Sequence, residues 1–258
     1  GMGTWRKRLE KWAGELRYRA SLRGYTCDGC GKEVFDYPAV RLCPDCARRA
    51  VQKERVCPKC GRRTVSDGIC QDCKGLPPKF ARGFSPFAYE GLIAGMLNRF
   101  KNGERHLAFF FAEAMFALLS AQSEKGEVPV SCASLCVCSV PGSAERRRAR
   151  GYDQAAELAK AFCRLSGAEY FPDALALVRE PLPQKSLSAA ERRKNTEGVY
   201  RASGRQTGGT VLLIDDLMTT GATADACTAA LLKSGAERVY VLTAAAVPER
   251  PSPVYGAE

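Results

Sequence analysis

The 258-residue sequence has no apolar run long enough to cross a bilayer and carries a single histidine. Its longest strongly apolar stretch, residues 107–121, is broken by Glu113, and a spanning helix needs about 20 apolar residues. No membrane association through a spanning segment is expected. The N-terminus lacks an apolar h-region, so no secretory signal is expected and a cytoplasmic location follows. The Gly-Lys-Ser/Thr of a Walker loop is missing, and so is the G-x-G-x-x-G of a dinucleotide fold. Acidic residues are scarce beside basic ones, 28 against 39. The one histidine, His106, follows a charged helix start and reads as a surface residue. Apolar residues at 45% and charged residues at 26% disfavour disordered and collagen-like chains. The length suits one or two domains with at least one sizeable core.

Cysteine and positive charge are what the chain has in excess. A reducing cytoplasm keeps thiols free, so thirteen cysteines ask for a metal explanation. Eight of them form four Cys-x-x-Cys pairs: Cys27/Cys30, Cys43/Cys46, Cys57/Cys60 and Cys70/Cys73. The pairs are separated by 12, 10 and 9 residues. Each pair can place two thiolates on one metal, and two pairs complete a tetrahedral site. Two structural zinc ions are expected. Pairing in sequence order is the simpler wiring; a crossed arrangement, first with third and second with fourth, stays open. A region this small would draw most of its folding free energy from the metal. The other five cysteines (Cys132, Cys136, Cys138, Cys163, Cys227) lack the spacing and read as buried small hydrophobes.

The chain divides by texture. Residues 4–22 read as an amphipathic helix, with Trp5, Leu9, Trp12 and Leu16 on one face and basic residues between them. This helix suits docking on the rest of the chain or on a second copy, which leaves a homodimer open, with nucleic-acid or membrane contact as the alternative. Residues 25–75 form the double zinc-ribbon region, and Gly75-Leu76-Pro77-Pro78 breaks whatever precedes it. Residues 80–247 alternate helical and strand patterns. Helices are expected over 91–101, 104–122, 153–165 and 223–234. Strands are expected over 135–140, 175–178, 210–214 and 238–246, whereas 180–198 is polar and without pattern. This alternation predicts an α/β domain with a mostly parallel sheet flanked by helices. Residues 248–258 form a loose tail.

The most informative stretch is Val211-Leu212-Leu213-Ile214-Asp215-Asp216-Leu217-Met218-Thr219-Thr220-Gly221-Ala222-Thr223. Four apolar residues form a buried strand, and two carboxylates follow at its C-terminal end, where α/β proteins bind ligands. A hydroxyl-rich loop with one glycine then opens a helix. Backbone N–H groups at such a helix start, with threonine side chains, cradle an anion. Carboxylates beside an anion cradle make sense for a sugar phosphate, taking its hydroxyls while the loop takes its phosphate.

This stretch resembles the phosphoribosyl pyrophosphate (PRPP) motif of type I phosphoribosyltransferases. The resemblance implies that Asp215 and Asp216 hold the ribose hydroxyls and are the catalytic pair. It implies that Thr219, Thr220, Gly221, Ala222 and Thr223 hold the 5′-phosphate, and that Mg²⁺ accompanies the pyrophosphate. Upstream, Arg148-Ala149-Arg150-Gly151-Tyr152-Asp153-Gln154 precedes a helix, and Gln184, Leu187, Arg192 and Asn195 follow later. Together with the N-terminal cysteine pairs, these make the chain similar to the ComF family from Cys27 to Val247. Members of that family join a zinc ribbon to a phosphoribosyltransferase domain. Its usual Phe-Asn stands here as Tyr152-Asp153, and the extra cysteine pairs predict a double ribbon. Arg148 and Arg150, within the basic run 146–150, and Gly151 just after it then suit a pyrophosphate loop. Lys185 and Arg192 suit a flexible loop that closes over the site and excludes water.

Two functions follow from that resemblance. One is a PRPP-binding phosphoribosyltransferase-like protein, which as an enzyme would join a base or amine to C1 of PRPP with release of pyrophosphate, serving DNA uptake and competence or nucleotide metabolism. The other is a non-catalytic module that senses PRPP or a nucleotide. Such a module would act in competence and DNA uptake through single-stranded DNA and helicase-type partners. Charge bears on the second. Residues 1–79 hold a basic surplus of nine and residues 80–258 a surplus of two. Two zinc–tetrathiolate sites, each of net charge about −2, cut the first surplus to about five. Any DNA contact therefore belongs to the first 79 residues.

Overall fold

The computed structural model describes residues 26–50, 55–65, 67–179, 191, 196, 198–204 and 209–249. The expected helix over 4–22, most of the 180–198 stretch with Lys185 and Arg192, and the tail beyond 249 lie outside the described residues.

The fold class is the expected one, a mostly parallel sheet flanked by helices with two cysteine modules at its N-terminal side. Two short helices, α1 (Pro44–Arg49) and α2 (Gln71–Gly75), belong to the cysteine modules. Strands β1 (Arg82–Phe84), β2 (Phe87–Ala88), β3 (Cys136–Ser139), β4 (Glu169–Tyr170), β7 (Thr210–Met218) and β8 (Arg238–Ala246) build the sheet. Its order is β1-β8-β7-β3-β4, with β2 also on β8, and every pairing is parallel. Strands β5 (Leu175–Leu177) and β6 (Tyr200–Ala202) form a separate antiparallel pair. The helices are α3 (Gly91–Lys101), α4 (Leu107–Glu124), α5 (Ala144–Arg150), α6 (Gln154–Ser166) and α7 (Ala222–Lys233).

The period-2 pleat of β7 explains the two layers. Leu212 and Ile214 face one side, in the same apolar cluster as Ile93, Met96 and Phe100 of α3, Phe111 and Met115 of α4, and Leu158 and Phe162 of α6. Val211 and Leu213 face the other, with Cys227 and Leu231 of α7. Fully burying each of the large side chains stabilises by about 1.5–3 kcal/mol. Helix α6 shows how local signals set an element. Asp153 caps it, its Oδ1 accepting from Ala156 N at 3.1 Å, and Gly167 ends it at φ 76°.

Several boundaries differ from the expected ones. Strand β7 continues beyond Ile214 to Met218, because β8 runs alongside it and pairs Asp215 with Thr243 and Leu217 with Ala245. Strands β1 and β2 were not expected from sequence. They are three and two residues long and exist by virtue of their pairing with β8. The basic run expected as a loop is helix α5.

The second cysteine module and the sheet meet backbone to backbone. Gly83 N donates to Lys59 O at 2.7 Å. A Cβ on Gly61 would stand 2.4 Å from Gly83 O, and one on Gly83 would stand 2.8 Å from Cys60 O. Only paired glycines permit that approach. Cys57, Cys60, Cys70 and Cys73 share one apolar cluster with Phe80, Val211, Leu213 and Met218. At the start of the tail, Glu249 is held: its carboxylate accepts from Gln71 N at 2.7 Å and Val65 N at 3.2 Å.

The first module docks on α3 and α4 through charge. Arg99 donates to Asp28 O and Gly29 O at 2.7 and 3.1 Å. Arg41 makes a two-pronged pair with Glu113 at 2.7 and 2.8 Å. His106 lies in this seam, its Nε2 3.7 Å from Asp28 and its side chain only 19% exposed, so the expected surface placement is corrected. Glu113→Ala leaves Arg41 nearly buried with its strongest partner gone. The expected cost is about 1–3 kcal/mol, read as a lower thermal midpoint with zinc content unchanged.

Candidate functional site

Each cysteine module is built the same way. A tight turn places the first pair, with Gly31 N bonding to Cys27 O at 2.8 Å and Gly61 N to Cys57 O at 2.9 Å. The second pair begins a helix, with Cys43 capping α1 and Cys70 capping α2. The two sulfur groups are Cys27, Cys30, Cys43, Cys46 and Cys57, Cys60, Cys70, Cys73, each with its atoms within 4.8 Å of one another. The wiring is therefore sequential and not crossed. A tetrahedral zinc with Zn–S near 2.3 Å needs sulfurs about 3.8 Å apart. Cys30–Cys43 and Cys60–Cys70 are each 3.7 Å apart, so the donor sets fit. Backbone N–H groups support the thiolates: Cys43 N lies 3.2 Å from Cys27 Sγ and Cys70 N 3.4 Å from Cys57 Sγ. A backbone N–H at Cys46 also draws the Cys43 thiol down to about 7. Four protein ligands in each group could hold a structural ion with no coordination position left open. Of the remaining cysteines, Cys132, Cys138 and Cys227 are buried, and burial pushes the Cys163 thiol up to about 12.

The other site lies at the C-terminal ends of β3 and β7. A cavity of about 420 Å³ is lined by Asp215, Asp216 and Thr223, and also by Arg147, Arg150 and Lys101. Asp216 N donates to Asp215 Oδ1 at 2.8 Å, which fixes the Asp215 carboxylate against the backbone. Burial, reinforced by the Asp216 charge, holds Asp215 well above the usual carboxylate range. Lys101 Nζ lies 3.0 Å from Asp216 Oδ2, with both side chains about four-fifths covered. The loop then turns at Gly221, where φ is +80° and Met218 Sδ would be 3.5 Å from any Cβ. Helix α7 begins at once behind it. The Thr220 hydroxyl is buried with no partner among the described residues.

The basic segment reaches the same cavity from β3. Asp153 Oδ2 accepts from Gly142 N at 2.9 Å and so fastens the Pro141-Gly142 turn to the start of α6. Arg150 donates to Gln154 Oε1 at 2.9 Å. The Tyr152 hydroxyl donates to Phe100 O and accepts from Gly103 N at 3.3 Å, which a phenylalanine would not do. Tyr152 thus pins the end of α3, where Lys101 stands.

Of the residues singled out from sequence, Asp215, Asp216, Thr223 and Arg150 meet at one cavity. Gly221 and Ala222 are buried in the turn behind it, Thr220 is partly buried and Thr219 is exposed. Arg148 and Gly151 are exposed and do not line the cavity; Arg147, one residue earlier on α5, does. Sequence reasoning missed Lys101 and Tyr152's support of it. Lys101 looks like an ordinary basic helix end, and only the fold brings it to Asp216.

Fold and site together define an α/β protein with two tetrathiolate modules and a mixed acidic and basic cavity at the carboxyl ends of its central strands. No family model matches the chain. It is 26% identical over 218 residues to the "DNA utilization protein YhgH" of Salmonella typhimurium (strain LT2), covering 83% of this chain and 87% of that protein. With the protein of the same name in Escherichia coli (strain K12) it shares 25% over 203 residues, 78% and 82% of the two chains. Among solved structures, one titled "Structure of the allosteric regulatory enzyme of purine biosynthesis" is 19% identical with a TM-score of 0.35. That match covers 55% of this chain and 26% of the other, and the fold class rests on the strand order above. No helix among the described residues is long and apolar enough to cross a membrane.

Proposed function

We propose that the protein is a ComF-type, phosphoribosyltransferase-like protein that binds PRPP in the cavity over Asp215–Thr223 and serves DNA utilization in the cytoplasm. The observation that carries the reading is the cavity itself. It joins two adjacent carboxylates, Thr223 at the start of α7, and three cations, which suits a ligand with hydroxyls at its centre and phosphates at both ends. Asp215 and Asp216 take the ribose hydroxyls, the loop 219–223 takes the 5′-phosphate, and Arg147, Arg150 and Lys101 take the diphosphate. The carboxylate pair also suits Mg²⁺, which is commonly held by one or two carboxylates plus substrate phosphates and would neutralise charge on the leaving diphosphate. Positioning and electrostatics would do most of the work in any transfer.

The names of the relatives favour a second reading of the same cavity, a PRPP- or nucleotide-sensing module whose output reaches DNA or DNA-processing proteins. Titration calorimetry of the full chain with PRPP and Mg²⁺ tests the binding common to both. Binding that Asp216→Asn lowers at least about a hundredfold supports it; no heat, or equal heat in the variant, removes it. Pyrophosphate release with a panel of purines, pyrimidines and amines separates enzyme from sensor. Lys101→Met is expected to weaken inorganic pyrophosphate binding about three- to tenfold by removing one partly buried cation. Single-strand binding is expected to fall steeply as salt rises.

A further inference from the structure

We propose that Arg62, in the second cysteine module, is a positioning residue for the phosphate loop. The inference rests on the sugar-phosphate reading of that loop and adds a residue from the cysteine region to it. Arg62 is 6% exposed, unusual for an arginine. Its Nη1 donates to Asp72 Oδ2 at 2.6 Å, and its Nη2 donates to the carbonyl of Thr219. Asp72 sits on α2 between Cys70 and Cys73, so the guanidinium is aimed by the module and spends its other arm on a loop 157 positions away.

The geometry of the peptide makes that contact consequential. In a planar trans peptide the C=O and the following N–H point to opposite sides. Holding the Thr219 carbonyl toward the cysteine module therefore turns the Thr220 N–H away from it. The neighbouring Thr220 hydroxyl is buried and has no partner among the described residues. A buried hydroxyl without a bond is costly, so the loop carries unused hydrogen-bonding capacity next to that N–H. Arg62 Nε is also buried without a partner, so its positive charge is only partly matched by Asp72. It stands behind the loop and adds to the field of the α7 N-terminus. The module carrying Arg62 cannot drift, because Gly61 and Gly83 are in direct backbone contact and the four sulfurs pack in the cluster that holds Met218. The second tetrathiolate site thus sets the shape of an anion loop in the other part of the chain.

The test compares two probes on the full-length protein, ribose 5-phosphate, which needs the loop, and inorganic pyrophosphate, which needs the arginine segment. Arg62→Ala is expected to weaken ribose 5-phosphate binding about ten- to a hundredfold, with pyrophosphate affinity within about twofold and two zinc ions retained. Arg62→Lys, which keeps the charge with fewer donors, should fall between Arg62→Ala and the parent. Unchanged ribose 5-phosphate affinity in Arg62→Ala, or equal losses for both probes, overturns the proposal. Should Arg62→Ala lose zinc, Asp72→Ala decides. That variant removes the acceptor and leaves the guanidinium in place but unaimed: weaker ribose 5-phosphate binding with both zinc ions present supports the role, and unchanged binding overturns it. If the parent protein binds neither probe, the reading of the cavity fails and this inference with it; unchanged variants of a binding parent sink this inference alone.

Discussion

Cys57→Ser is expected to lower zinc from two ions per chain to one and to cut the thermal midpoint by roughly 10 °C or more. The effect should exceed that of Cys30→Ser. The sulfurs of the second cluster are all buried, whereas Cys30 in the first is exposed. The second cluster also forms part of the apolar layer beneath β7, in contact range of Phe80 and Met218. Losing its metal leaves three buried thiols and a buried serine hydroxyl, and opens the face that supports the acidic strand. Damage to the first cluster stays closer to the seam with α3 and α4, where Arg99 and Arg41 make the contacts. Metal analysis and thermal melts of the two variants side by side give the result; equal, small shifts would mean that the second site is a peripheral ornament.

Asp215→Asn should do two opposite things. It should abolish measurable PRPP binding and raise the stability of the ligand-free protein by a few °C. The reason is the raised pKa of Asp215, caused by burial and then by the neighbouring Asp216 charge. Between the ordinary carboxylate value and that raised value, the folded protein holds a proton that the unfolded chain releases. Stability is therefore highest below the unfolded pKa and falls as pH rises toward the folded one. Asparagine removes that slope while keeping the shape. Melts from pH 4 to pH 8 check it: the parent should lose stability across part of this range relative to Asp215→Asn. A variant that melts lower than the parent at every pH would show that the carboxylate is structural and not held in readiness for a ligand.

Much of this was legible in the sequence, and the limits have physical causes. The cysteine spacing announced both four-sulfur groups, since two residues between thiols is a local geometric property. It left the wiring open, because either pairing satisfies the same turns; the packing of each module settles it. The apolar run before Asp215 announced β7, but its true end at Met218 depends on β8 lying alongside, which no local pattern encodes. Strands β1 and β2 are too short to carry a period. The acidic pair and the threonine loop were readable as a unit because one strand–turn–helix supplies them all. Lys101 and Arg62 were not, because their roles arise from contacts across the fold with Asp216 and the Thr219 carbonyl. Both resemble the many exposed basic residues of this chain until burial distinguishes them.

What fills the 420 Å³ cavity decides the function of the protein. A crystal structure of the full chain grown with saturating PRPP and Mg²⁺ tests it directly. The ribose hydroxyls should lie on Asp215 and Asp216, the 5′-phosphate on the backbone of Thr219–Thr223, and the diphosphate toward Arg147, Arg150 and Lys101. A cavity left unfilled at saturation, or a ligand bound with its 5′-phosphate away from that loop, would contradict it.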